Sequence, residues 1–305
     1  MPDSSSLLRR TFLGIGGAAA AVHASRAFAF APQSAAVSAA GSAATGIKVE
    51  KNVVVGKAGD TDLHCDIYRP PAGTEKRMAL IHFHGGGFVG GNKELLANRV
   101  TQITGRGYVS VTAQYRLAGV AKWPSQIDDA VTHIRWVRSH ADSLGIDPNR
   151  IALVGYSAGG HIALFAAGQP DLGLAACVAF YPATNLEKAA AQLMPPGSDA
   201  EALKNASPLS RIREGYPPTV LFHGLADTTV EPANSQRLLQ TLRAAKVPSE
   251  LHTFDGAIHA FDVDPTFAEA CAGLTDFFLD RQVLHPRTHP SGMPIAADLR
   301  KQTLA

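Results

Sequence analysis

The chain has 305 residues, of which 46% are hydrophobic and 18% charged, with 28 Gly and 19 Pro. This composition excludes a disordered or collagen-like chain and accommodates either one large α/β domain or two small ones. The formal net charge of +2 is too small to imply a nucleic-acid groove, so no nucleic-acid partner is expected.

The basic excess sits in residues 1–29, where Arg9, Arg10 and Arg26 face only Asp3; without that segment the charges balance. A polar start runs into Leu7-Leu8-Arg9-Arg10-Thr11-Phe12-Leu13, a weakly hydrophobic stretch follows to Val22, and Ala27-Phe28-Ala29 ends it. A charged region, a short apolar region and a small-x-small site describe an export signal, with cleavage expected after Ala29. The paired arginines followed by x-Phe-Leu resemble a twin-arginine signal, with departures at Leu8 and Gly14. The expected partner is therefore the twin-arginine export machinery, and the expected location is periplasmic or secreted. Residues 11–22 are too few to span a bilayer, which needs ~20 apolar residues, so no stable membrane insertion is expected after processing.

Residues 30–46 are rich in Ala, Ser and Gly and read as a flexible lead-in. Ile47 to Val55 and Leu63 to Tyr68 alternate as an antiparallel strand pair joined through Gly59-Asp60. Met78 to Phe83, Tyr108 to Ala113, Ile151 to Tyr156, Leu174 to Tyr181, Pro218 to Gly224 and Ser249 to Phe254 are short runs with strand character. Helical spacing marks Pro124 to Ala141, Ala158 to Ala167, Ala233 to Ala245 and Pro265 to Asp280. Residues 183–216 break this rhythm as an insertion with a short Ala-rich helical stretch, and residues 281–305 read as a loosely attached tail. Strands alternating with helices predict an α/β domain over 47–280, with a mostly parallel central sheet covered by helices on both faces.

Cys65, Cys177 and Cys271 are widely spaced. They offer no metal-ligand pattern and cannot all pair within one chain, so buried free thiols are expected, with room for one disulfide.

The chemistry concentrates at Gly155-Tyr156-Ser157-Ala158-Gly159-Gly160, between a strand and a helix. A serine on such a turn is held in strained dihedrals with its hydroxyl exposed, and side chains at 155 and 159 would collide with neighbouring backbone. A second motif, His82-Phe83-His84-Gly85-Gly86-Gly87-Phe88, ends the earlier strand. Its bare backbone can aim N–H groups at one point, so Gly85 and Gly86, with the N–H of Ala158, are the expected oxyanion donors. Serine needs a general base, and the base an orienting acid. His259 and Asp227 each follow the C-terminal end of a predicted strand, where open α/β sheets build sites. Asp255, Asp262 and Asp264 compete for the acid role but share a loop with His259. His84, His161 and His223 are read as structural. The expected catalytic set is Ser157, Asp227 and His259 with Gly85, Gly86 and Ala158, and no metal or other cofactor.

These residues resemble the hormone-sensitive-lipase-like branch of the α/β-hydrolases, which includes bacterial carboxylesterases and the acetyl/feruloyl-esterase-like group. His84-Gly85-Gly86-Gly87 matches the oxyanion motif. Tyr115-Arg116-Leu117-Ala118, Trp123-Pro124 and Asp128-Asp129-Ala130 match the linking segment, and Gly155 to Gly160 match the elbow. The similarity runs from about Val53 to Phe278. It implies an α/β-hydrolase fold and cofactor-free hydrolysis of a small-molecule carboxylic ester through an acyl-enzyme. Asp129 and Arg116 are expected to serve the scaffold through buried hydrogen bonds. Larger members begin with a helical cap; here only residues 30–46 precede the sheet, so any lid comes from 183–216 and the acyl pocket should be open or shallow. Phe88, Tyr156, Leu193 and Met194 could wall it or be plain packing. The same triad would serve a C–N hydrolase of the arylformamidase or small-peptidase type. A non-enzymatic binding module would normally lack a triad member, and none is missing. The natural ester and the oligomeric state are not legible.

Overall fold

The structure, a computed structural model, describes residues 46–287. The expected signal, nearly all of the lead-in and residues 288–305 lie outside the described residues.

Eight strands form one sheet in the order β1-β2-β4-β3-β5-β6-β7-β8. In chain order they are β1 (Lys48–Ala58), β2 (Thr61–Arg69), β3 (Ala79–Phe83), β4 (Val109–Ala113), β5 (Ile151–Tyr156), β6 (Ala176–Phe180), β7 (Thr219–Gly224) and β8 (Ser249–Phe254). The β1–β2 and β2–β4 pairings are antiparallel and the rest parallel. Every residue of β3 to β7 is buried, which is why their sequences are continuous apolar runs rather than alternations: both faces are covered. At the edges, β1 is largely exposed and β8 is only partly buried.

The helices are α1 (Ala97–Thr104), α2 (Ser125–Ser139), α3 (Ala141–Leu144), α4 (Ala158–Ala167), α5 (Ala190–Leu193), α6 (Ala200–Ala206), α7 (Ala233–Ala244) and α8 (Pro265–Leu279). The period-2 pleat splits the core into two layers. Ile81, Leu153 and Leu221 face Ile134 of α2, Ile162 of α4 and Leu238 of α7. Leu80, Val154 and Val220 face Val100 of α1 and Phe278 of α8. Among the described residues no helix is long and apolar enough to cross a membrane.

Two elements differ from expectation. The helix α1, ANRVTQIT, is mostly polar and was not anticipated; only Val100, Ile103 and Thr104 are buried. At the other end the first residues of the expected tail, 281–284, are not loosely attached. A π-helical turn, Asp280–Leu284, continues α8 with Leu284 buried, and the Arg281 guanidinium pairs with Glu250 on β8. The three thiols are free and buried; burial, with the charge of Asp66 adding to it, pushes Cys65 up to about 12.

The linking segment is scaffold, as expected. The Asp129 carboxylate is fully buried and accepts from the Arg116 guanidinium at 2.7–3.0 Å and from the Arg116 backbone N–H at 2.8 Å. Asp129→Ala would leave Arg116 unpaired in a largely buried setting and should lower stability by about 3–5 kcal/mol. Urea denaturation followed by circular dichroism measures this directly.

Candidate active site

The chain steps from β3 to β4 on one side and then crosses back to β5 on the other, so a crevice opens beyond the C-terminal ends of β3 and β5. Both motifs sit there, on strands paired through Phe83 and Gly155.

Ser157 occupies the sharp turn between β5 and α4 at φ +54°, ψ −114°, a conformation a non-glycine residue holds only under tight constraint. Its N–H donates to the Phe180 carbonyl at 3.0 Å, and its own carbonyl accepts from the His161 N–H at 3.1 Å. The packing tolerates no side chain on either flank: a Cβ at Gly155 would lie 2.1 Å from the Gly159 carbonyl oxygen, and one at Gly159 would lie 2.0 Å from that of Phe83. The elbow therefore rests directly on the end of β3, as the glycine pattern predicts.

The glycine loop follows at once. A Cβ at Gly85 would stand 3.2 Å from the Ser157 Cβ, so this backbone borders the serine. Gly86 adopts φ +122°, open only to glycine, and its carbonyl closes the loop by accepting from the Val89 and Gly90 N–H groups. Among the described residues, the hydrogen bonds that fasten these turns leave the N–H groups of Gly85, Gly86 and Ala158 without an acceptor. His84 organises the loop: its Nδ1 donates to the Gly85 carbonyl at 2.7 Å, and its ring stacks on Tyr115 at 4.3 Å. Burial pushes His84 down to about 4, so it is a neutral structural ring.

The expected base and acid converge on Ser157. The Ser157 hydroxyl lies 3.0 Å from His259 Nε2, and His259 Nδ1 lies 2.7 Å from Asp227 Oδ2. Oδ1 of Asp227 accepts from the N–H groups of Thr229 and Val230, both at 2.9 Å. Burial opposes ionisation of Asp227, but hydrogen bonds from His223, His259 and the Val230 N–H outweigh it and hold the carboxyl well below the usual range. Serine, imidazole and carboxylate thus form one relay, with Asp227 buried and Ser157 and His259 partly open to solvent. Such an arrangement can activate a hydroxyl as a nucleophile and stabilise an oxyanion beside it.

The competing acids are placed elsewhere. Asp264 caps α8. Asp262 is buried beneath the His259 loop, accepting from the Tyr181 hydroxyl at 2.5 Å and pairing with Arg99 at 2.8 Å. Tyr181 in turn packs edge-on against His259, centroids 4.6 Å apart. Tyr181, Arg99 and His223 all reach the relay or its support, and none of them is among the site residues expected from the sequence. For His223 a signal existed: a histidine one residue before the end of a buried strand and four positions before the acid. For Tyr181 it was the position just past the end of β6.

The proposed pocket walls are packing residues. Phe88, Leu193 and Met194 are buried in the core layer of α2 and α4, and Tyr156 lies in the opposite layer, stacked on Phe180. His161 pins the 183–216 insertion to α4, with Nδ1 at 2.7 Å from the Ala183 carbonyl oxygen and Nε2 at 2.9 Å from that of Ala206.

Known proteins are similar to this chain in sequence and fold. The BD-FAE family model matches residues 65–242. Esterase LipC of Mycobacterium tuberculosis is 28% identical over 220 residues, covering 62% of this chain and 54% of that protein. Carboxylesterase NlhH of the same species is 36% identical over 129 residues, covering 42% of this chain and 40% of its own. The chain thus spans about half or less of the length of these curated relatives. Among solved structures, Thermogutta terrifontis esterase 2 with propionate bound superposes with a TM-score of 0.67 at 29% identity, over 81% of this chain and 98% of that one. The same esterase is also known phosphoramylated by tabun. With sheet order, strand-end motifs and a family model matched over more than half its length all in agreement, the chain has the α/β-hydrolase fold and belongs to the BD-FAE family.

Proposed function

We propose that this protein is a serine esterase that hydrolyses short-acyl carboxylic esters through an acyl-enzyme. The observation that carries this reading is the unbroken relay from Ser157 through His259 to Asp227, beside backbone N–H groups with no acceptor of their own. His259 takes the Ser157 proton as the hydroxyl attacks the ester carbonyl. Asp227 fixes the imidazole with its proton on Nδ1 and stabilises the imidazolium. The N–H groups of Gly85, Gly86 and Ala158 receive the oxyanion. His259 then protonates the leaving alcohol, and water repeats the sequence on the acyl-enzyme. The likeness to esterases, one of them known with propionate bound, supports a short acyl group, and acetyl or aromatic esters carried on carbohydrates fall within the class.

Paired substrates test the reading. Phenyl acetate should turn over readily and acetanilide not above background; preference for the amide would instead make the protein a C–N hydrolase. A panel from acetate to octanoate, with acetylated xylan and a feruloyl ester, ranks the acyl and alcohol preferences.

We further propose export by the twin-arginine route, on the strength of Arg9-Arg10-Thr11-Phe12-Leu13 and the small-x-small site at Ala27 and Ala29. N-terminal sequencing of protein recovered from the periplasm should begin at Phe30, and recovery beginning at Met1 would contradict it.

A further inference from the structure

Behind Asp227 lies a second histidine that the relay does not need for proton transfer. His223, at the end of β7, is fully buried. Its Nε2 faces two acceptors, the Val230 carbonyl oxygen at 2.9 Å and Asp227 Oδ2 at 3.3 Å. Its Nδ1 faces the Ser235 hydroxyl of α7 at 2.7 Å. A bare Nε2 would set its lone pair against a carbonyl and a carboxylate in a dry site, which is strongly unfavourable. The ring proton therefore belongs on Nε2, and the Ser235 hydroxyl, free to rotate, donates into Nδ1. Oδ2 of Asp227 is the same oxygen that receives His259 Nδ1.

We propose that His223 is a positioning residue for Asp227, locked as the Nε2–H tautomer by Ser235: its Nε2–H is hydrogen-bonded to the Val230 carbonyl, and the same ring edge lies 3.3 Å from the Asp227 oxygen that holds His259. The inference rests on the esterase reading for its kinetic consequences but not for its tautomer. One N–H clamps the Asp227–Val230 turn through the Val230 carbonyl and tempers the basicity of the oxygen that holds His259. Other titratable groups face the relay from elsewhere: Tyr181, just past β6, packs on His259 and is bonded to Asp262, whose partner is Arg99 of α1. Among the described residues no side-chain hydrogen bond or ion pair joins any of these to His223 or Ser235, so substitutions there act first on the clamp.

Without the His223 donor, Oδ2 becomes more basic and retains the proton on His259 to higher pH. The acid limb of kcat/KM should then move up. For His223→Leu we expect a rise of about half a pH unit and a fall in kcat of about tenfold per active site, with KM little changed. His223→Gln, which keeps an N–H donor, should recover most of both losses. Ser235→Ala removes only a hydroxyl and should shift the limb in the same direction by less. Active sites are counted by titration with a fluorophosphonate, so unfolded protein does not enter the rates. Superimposable pH profiles for His223→Leu, His223→Gln and Ser235→Ala, or equal defects in the Leu and Gln variants, would overturn the proposal. Nitrogen-15 spectra of histidine-labelled protein test the tautomer without reference to activity: His223 should show a protonated Nε2 and an unprotonated Nδ1, and the reverse pattern would overturn it. A folded wild type that the fluorophosphonate leaves unmodified would sink the esterase reading, while the spectra would still decide the tautomer.

Discussion

Ser157→Ala is expected to lower kcat on a short-chain p-nitrophenyl ester by about 10⁵–10⁶-fold while the protein stays folded. The size follows from the loss of the atom that forms the acyl bond; oxyanion donors and substrate binding alone leave a residual acceleration of about 10³–10⁴-fold over water. The fold should not suffer. The Ser157 side chain makes one hydrogen bond, to His259, and the turn is held by backbone: Ser157 N–H to Phe180, and Gly155 and Gly159 packed onto neighbouring carbonyls. Stability should change by less than about 1 kcal/mol. Steady-state rates beside a urea melt separate the two effects, and a variant that retains a tenth of wild-type turnover would remove Ser157 from the chemistry.

Asp227→Asn should cost about 10⁴-fold in kcat despite its near-identical shape. The reason lies in which way the amide must face. Oδ1 accepts two backbone N–H groups, from Thr229 and Val230, so the amide oxygen is fixed at that position and the NH₂ falls at Oδ2. There it meets His259 Nδ1 and, on our assignment, the N–H of His223. His259 must then accept at Nδ1 and carry its proton on Nε2, facing Ser157, the tautomer that cannot act as base. The same substitution tests linkage. Because the Asp227 carboxyl is held below its ordinary range, its ionised form stabilises the fold above about pH 4, and that contribution is lost as pH falls through the folded value. The stability gap between wild type and Asp227→Asn should therefore narrow on acidification. Chemical denaturation at pH 7 and pH 3.5 measures this.

Most of the sheet was legible because burial on both faces makes a strand's apolar run continuous, as in ALIHF and ACVAF. Helices with a full amphipathic stripe, such as α2 and α8, were legible for a related reason. The helix α1 was not: eight largely polar residues held by three inward contacts carry too little pattern, and its existence depends on α8 packing beside it. The turn after Asp280 was equally silent, since Leu284 becomes a core residue only where α8 delivers it.

At the site, the elbow and the glycine loop were readable because steric demands fix glycine at particular positions. Asp227 and His259 were readable because their strand-end placement narrows the choice of partners. His223, Tyr181 and Asp262 were not, because their roles arise from contacts between residues far apart in the chain: His223 with Ser235 of α7, and Tyr181 with Asp262, whose partner is Arg99 of α1. A buried histidine looks the same in sequence whether it supports a core or a carboxylate. Leu193 and Met194 show the converse: in an insertion that stands in the place of a lid, wall and packing stay equally open until the side chains are found in the core.

On the proposed mechanism Ser157 is a nucleophile activated through His259 and Asp227. The most direct measurement is intact-mass spectrometry after brief exposure to a fluorophosphonate, followed by peptide mapping. One adduct per chain is expected, on Ser157, with labelling slowed by orders of magnitude in His259→Ala. Folded wild-type protein that takes up no adduct, or an adduct mapped to any other residue, would contradict it.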